Sequence, residues 1–197
     1  MIKSNNNSKS SIFYVLLRTL LALDLKISNS LASKFVKLRP CLIAFELLGN
    51  GFTWIGIAFY FYLKSNNDVF VIKMLKIFMF GFLLDLFLVG SIKLLVKRKR
   101  PKTNIKEGEY TFKADHYSFP SGHASRAIFI SSFVRMYFSL SNIPFLNLFV
   151  VLLGWSVAVS RILMSRHYLS DVVCGIFVGK LNIYITSIAS SYFMQLL

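Results

Sequence analysis

Lys93 is followed at seven residues by Arg100-Pro101, Pro120-Ser121-Gly122-His123 comes next, and Ser160-Arg161 is followed by His167 and Asp171. Read as one pattern, K-x6-R-P, P-S-G-H and S-R-x5-H-x3-D gather three cations, two histidines and a carboxylate. That inventory can cleave a phosphate ester without a metal ion. One imidazole can attack phosphorus while the other protonates the leaving oxygen, a carboxylate can orient one of the rings, and the cations take the charge of the phosphoryl oxygens. The sequence offers no cluster of carboxylates to hold a divalent cation, so neither metal nor cofactor is expected.

The local sequence suggests how each group is held. Lys93 and Arg100, seven residues apart, would return to within about 20° on one helix and differ by about 10 Å in height. Pro101 would then end that helix at Arg100. Pro120 and Ser121 are residues that start helices, Gly122 lets backbone come close to a ligand, and the free N–H groups of a helix start favour an anion. His167 and Asp171, four apart, can meet through one ring nitrogen, which would fix the tautomer of the other.

These groups need a frame, and the composition says it lies in a membrane. The 197 residues are 55% hydrophobic and 16% aromatic, with a formal net charge of +15 and a positive mean hydropathy. This is too apolar for an ordinary soluble domain. Because the basic residues flank apolar runs, lipid headgroups and a phosphorylated substrate account for them better than nucleic acid does. Five runs are candidate spans: Cys41 to Leu63, Val71 to Val96, about Ser125 to Leu140, Ile143 to Met164, and Val172 to Met194. Short connections such as Ser141-Asn142 leave no room for a second domain, so the expectation is one all-α, polytopic helical bundle over residues 41–197. Two spans separate His123 from His167, which returns both histidines to one membrane face.

Ahead of the bundle, residues 1–40 read as a polar tail, Met1 to Ser10, and an interfacial amphipathic helix. In that helix, Ser11 to Ile27, the residues Ile12, Val15, Leu16, Leu20 and Leu23 form an apolar stripe. A sixth short span is the alternative. Arg18 and Asp24 break the apolar stretch, which argues against a secretory signal. Cys41 and Cys174 carry no metal spacing and read as reduced thiols. Counting Lys and Arg places the tail and the Lys97 to Lys113 loop on the cytosolic side, and the site with them.

The three ordered fragments resemble the phosphatidic acid phosphatase type 2 superfamily, with every internal spacing intact. Leu48 to Gly51, Tyr117 to Ala127 (YSFPSGHASRA) and Ser160 to Asp171 (SRILMSRHYLSD) are also similar to its polyisoprenoid (presqualene) diphosphate phosphatases. The resemblance implies a bundle with a vanadium haloperoxidase-like core, usually of six spans, and residence in the endoplasmic reticulum or nuclear envelope. It implies that His167, oriented by Asp171, forms a phosphohistidine while His123 protonates the departing oxygen. Lys93, Arg100, Arg161, Ser121 and Gly122 would hold the phosphoryl oxygens. The expected substrates are isoprenoid diphosphates and monophosphates, with phosphatidic acid and sphingoid phosphates beside them. A silent scaffold of the same fold and a phosphotransferase are the alternatives.

Other residues have plainer readings. His116 is a loop residue, and the run Lys97-Arg98-Lys99-Arg100 is a juxtamembrane anchor in which only Arg100 has a catalytic reason. Gly49-Asn50-Gly51 reads as helix packing before it reads as the wall of a lipid opening. Asp85 and Lys180, charges at similar depth, are expected to pair. Arg126, three residues past His123, is expected to bind the further phosphate of a diphosphate.

Overall fold

Apolar runs of this length must satisfy their own backbone groups, and the chain does so in helices. The computed structural model of the protein describes residues 6–101, 116–138 and 142–196. Its helices are α1 (Asn6–Lys34), α2 (Arg39–Gly49), α3 (Gly51–Lys64), α4 (Val69–Val96), α5 (Gly122–Tyr137), α6 (Pro144–Leu163) and α7 (Leu169–Leu196). The described residues form an all-α bundle. Their starts follow local chemistry: Asp68 accepts from the N–H groups of Phe70 and Val71, and Pro40 and Pro144 sit in the first turns of α2 and α6.

Of the five apolar runs, three become α4, α6 and Leu169–Tyr192 of α7, each long and apolar enough to cross a bilayer. The first becomes α2 and α3, two short helices bent by 55° that together would make one broken span. At the break Asn50 leaves helical geometry, and its side chain caps α3 by accepting from Phe52 N–H at 2.9 Å. Carbonyls freed at the end of α2 find side-chain donors, Leu48 from Trp54 Nε1 at 2.7 Å and Gly49 from Arg126 at 2.8 Å. The remaining run, expected as a span, becomes instead the 16-residue α5, which is not among the described helices long and apolar enough to cross a bilayer and is buried over most of its length against α4, α6 and α7.

Close packing sets α5 in place. A Cβ on Gly175 of α7 would lie 2.5 Å from the Ser121 carbonyl, and one on Gly179 would strike the Ser125 carbonyl one turn on. This small-x3-small stripe lets the two backbones meet. Further along, Phe78 of α4 packs on Phe129 and Phe133 of α5 with ring centroids 6.0 and 5.2 Å apart, and Phe82 stacks on Phe78 in the same cluster. The polar ties are few and specific, such as Asn182 Nδ2 donating to the Gly81 carbonyl at 2.9 Å.

Three further expectations are corrected. Asp85 does not pair with Lys180: its fully buried carboxylate accepts from Ser125 Oγ and lies 3.5 Å from Arg126 Nε, while Lys180 is exposed. Depth was matched but azimuth was not, since Asn182 is the residue of α7 that faces α4 and Lys180 lies about 200° around from it. The α4 helix also stops before Arg100. Lys97 adopts the left-handed conformation (φ 51°) and its N–H returns to the Lys93 carbonyl. Arg100 therefore does not extend the helical face of Lys93; Arg98 to Arg100 leave the helix, and Lys99 bridges to Tyr117.

The N-terminal segment differs too. Helix α1 already includes Asn6 to Ser10, because extending a nucleated helix costs little; residues 1–5 of the expected tail lie outside the described residues. The face of α1 that packs on the bundle carries Ser28, Leu31 and Ala32. Ser28 and Ala32 are buried, with Leu31 packed on Ala124, Ala158, Ile162 and Val172, whereas Val15, Leu16, Leu20 and Leu23 are exposed. Residues 102–115, which include most of the basic loop, and residues 139–141 also lie outside the described residues.

Candidate active site

A cleft of ≈ 800 Å³ opens where α2–α3, α4, α5 and the α6–α7 turn converge. Lys93, Arg100, Gly122, His123, Arg126, Arg161 and His167 all line it. Seven of the nine residues expected at the site are thus brought together. Ser121 stands behind the wall, fully buried: its hydroxyl caps α5 by accepting Ala124 N–H, and its N–H donates to the Asp171 carbonyl at 2.9 Å. Asp171 is likewise fully buried, beneath His167.

His167 follows a tight turn in which Ser165 has φ 58°. Its Nδ1 lies 2.8 Å from the Ser118 carbonyl and 3.6 Å from Asp171 Oδ2. A carbonyl only accepts, so Nδ1 carries the proton and Nε2 keeps its lone pair. The tautomer is therefore set first by a backbone carbonyl, with the carboxylate as a second, longer-range influence. Burial pushes the imidazole down to about 3, against the pull of Asp171 and with the help of Arg100 and Arg161. A neutral ring with a free lone pair is the form a nucleophile needs.

Asp171 is held from both sides. Oδ1 accepts from Arg98 at 2.7 Å and Oδ2 from Tyr168 N–H at 2.9 Å. His123 sits in the first turn of α5 against Gly49, where an added Cβ would run into the ring carbons Cδ2 and Cγ. The Gly49-Asn50-Gly51 patch is thus both packing and wall, since Asn50 and Gly51 line the cleft.

Among the described residues, five cations face this space: Lys93, Arg100, Arg126, Arg161 and Arg166. Glu46 is the acidic residue among the described lining residues, 3.1 Å from Arg161 and 3.6 Å from Arg166. Arg161 Nε is buried and has no hydrogen-bond partner among the described residues, leaving a donor for an anionic oxygen. Beside the charges, Phe52, Ile55, Phe82, Leu86, Val89 and Gly90 make an apolar side between α3 and α4, with the Arg126 guanidinium 5.4 Å over the Phe82 ring. The arrangement can hold a phosphoryl group at one end and a hydrocarbon chain at the other.

Sequence reasoning missed Arg98, Ser118, Glu46 and Arg166. Arg98 was hidden in a basic run, and Ser118 acts through its backbone, which leaves no mark in the residue type. Tyr117 to Ala127 did contain Ser118, but nothing in that stretch singled it out. His116 is exposed and does not line the cleft.

Fold and cleft together define an integral-membrane helical protein whose cleft is lined by two histidines and a group of cations. Residues 74–195 match the PAP2 superfamily, and the chain belongs to it. Among curated proteins it is similar to "Probable lipid phosphate phosphatase beta" of Arabidopsis thaliana, with 35% identity over 125 residues. That match covers 52% of this chain and 59% of the relative, so it spans about three fifths of the relative's length. Two solved structures share the fold. A transmembrane PAP2 type phosphatidylglycerolphosphate phosphatase from Bacillus subtilis superposes with TM-score 0.68 at 20% identity, covering 92% of this chain and 94% of the other. Aquifex aeolicus LpxE gives 0.61 at 19% identity, covering 83% and 94%.

Proposed function

We propose that the protein is a lipid phosphatase that hydrolyses isoprenoid diphosphates and monophosphates through a phosphohistidine, without a divalent metal. The observation that carries this reading is the pairing in one cleft of His123 with a His167 whose Nδ1–H is tied to the Ser118 carbonyl. Nε2 of His167 attacks phosphorus as the bond to the lipid oxygen breaks. His123 gives that oxygen its proton, then takes one from the water that releases phosphate. Lys93, Arg100 and Arg161 balance the oxygens in both transition states, and Gly122 leaves room beside them. Phe52, Ile55 and Leu86 suit an isoprenoid chain. The same reading puts the cleft on the cytosolic side of an endoplasmic reticulum or nuclear-envelope membrane, supported by the basic residues Lys97 to Arg100.

The test is phosphate release by detergent-purified protein in excess EDTA from farnesyl diphosphate, presqualene diphosphate and phosphatidic acid separately. Release that vanadate abolishes is the expected result, vanadate being able to mimic five-coordinate phosphorus. No release from any of the three by folded protein would sink the proposal.

Two variants probe parts of the cleft. Gly49→Ala should lower kcat by about a hundredfold, because moving a catalytic ring by an ångström is enough for such a loss. A kcat within threefold of wild type would show that His123 has another stable position. Arg126 lies against Asp85 and is proposed to bind the further phosphate of a diphosphate. Since Arg126→Ala alone would strand a buried carboxylate, the fair test is Asp85→Asn with Arg126→Gln. Its kcat/KM should fall about tenfold more for farnesyl diphosphate than for farnesyl monophosphate, as loss of a charged hydrogen bond implies. Equal losses would refute the assignment.

A further inference from the structure

The first N–H groups of a helix have no partner within it and are usually capped by the residue just before. In α7, whose first turn carries Asp171, that residue is Tyr168, which has no short polar side chain for the task. The caps come instead from α1. Leu169 N–H donates to Ser28 Oγ at 2.9 Å and Ser170 N–H to Asp24 Oδ1 at 3.1 Å, across 141 and 146 residues of chain. Asp24 and Ser28 are four apart, one turn of α1, so a single helix face supplies both acceptors.

Asp24 does more than cap. Its Oδ2 accepts from Arg98 Nη2 at 2.8 Å, and Arg98 Nη1 reaches Asp171 Oδ1 and Ser170 Oγ, each at 2.7 Å. One guanidinium thus bridges a carboxylate of α1 and the carboxylate behind His167. Its carbon lies 4.0 Å over the Tyr168 ring, which fixes its plane. Burial alone would raise the Asp24 carboxyl, but hydrogen bonds from Ser170 and Arg98 outweigh it and hold the group below the usual range. The carboxylate is therefore present at neutral pH.

We infer that α1 is a working part of the catalytic centre: Asp24 is a positioning residue that, through Arg98 and the first turn of α7, sets Asp171 behind the attacking His167. The inference rests on the phosphohistidine reading for its kinetic arm and on geometry alone for its structural arm. Arg161 pairs instead with Glu46, and the apolar side of the cleft lies between α3 and α4. Disturbing Asp24 should thus change turnover and spare binding.

The experiment compares full-length wild type with Asp24→Asn, Asp24→Glu, Asp24→Ala and Ser28→Ala in detergent, reading kcat, KM, melting temperature and amide hydrogen exchange. Asp24→Asn is near-isosteric and removes the charge. Its kcat should fall about tenfold or more with KM within about twofold, in line with removal of an outer partner of a reactive group. Asp24→Glu should recover most of the loss. In the Arg98→Gln background, Asp24→Asn should add little, because the two act in one chain of contacts. An unchanged kcat in Asp24→Asn, or a fall fully accounted for by lost folded protein, would overturn the inference. If wild type itself releases no phosphate, the phosphatase reading fails separately. Exchange then decides: the Leu169 amide should lose protection in Ser28→Ala and the Ser170 amide in Asp24→Ala, which unlike Asn keeps no acceptor, and unchanged protection in both would end the trans-capping claim.

Discussion

His167→Ala is expected to reduce phosphate release by about a thousandfold or more, the usual outcome when a covalent nucleophile is deleted and the binding groups remain. The structure makes this variant informative because the loss is confined. Lys93, Arg100, Arg126, Arg161 and Arg166 line the cleft independently of the ring, so a non-hydrolysable diphosphate should bind His167→Ala within a few-fold of wild type. Acid-labile protein-bound phosphate, trapped by rapid quench, should appear in wild type and vanish in the variant. Persistent turnover with no trapped phosphate would mean direct attack by water and would remove His167 from its proposed role. A pH arm follows from burial, which holds the ring at about 3. Between pH 7 and 4 the nucleophile stays neutral, so its own titration should not reduce the rate. Stability behaves differently. An unfolded chain binds a proton at its ordinary histidine value while the native site refuses it, so His167 withdraws stability as pH falls from about 6.5 towards 3.

For Asp171→Asn the expected loss is smaller, about a hundredfold in kcat. Were the carboxylate the sole determinant of the tautomer, an amide there could turn the ring around and cost about 10⁴, the magnitude known for a serine protease triad. Here the Ser118 carbonyl holds Nδ1–H at 2.8 Å and the carboxylate stands at 3.6 Å. The correct tautomer therefore survives. What is lost is the negative charge that balances an imidazolium-like ring once phosphorus is attached, and one of the two acceptors that now serve Arg98 and Tyr168 N–H. The measurement is kcat for Asp171→Asn beside Asp171→Ala, with melting curves for both. A loss as large as that of His167→Ala would show that the carbonyl is insufficient.

The motifs made much of this site readable. Each pairs a reactive residue with a neighbour that fixes its backbone, and the two helices between His123 and His167, α5 and α6, bring both to one end of the bundle. The end of α4 was not readable, because Lys97 takes a left-handed conformation that glycine favours and lysine rarely advertises. Asp85 misled for a different reason: its depth was legible and its azimuth was not, since the α4 helix is apolar nearly all around. Arg98 shows a third limit. Four adjacent basic residues look alike in sequence, and only the bend after Val96 turns one of them inward to Asp171 and Asp24.

The enclosure of α5 bears on how the protein meets different membranes. Bilayers that are too thick or too thin strain a protein by tilting or stretching the helices in contact with their acyl chains. Those helices here are α3, α4, α6 and α7, whose exposed leucines and phenylalanines face outward. The helix that carries His123 and Arg126 meets protein over most of its length. Hydrophobic mismatch therefore reaches the proposed proton donor only through its neighbours, and the Gly175–Gly179 seam ties α5 to α7 so that the two shift as a unit. The alignment of His123 is in this way insulated from membrane thickness, which suits the proposed action on substrates that are themselves components of the bilayer.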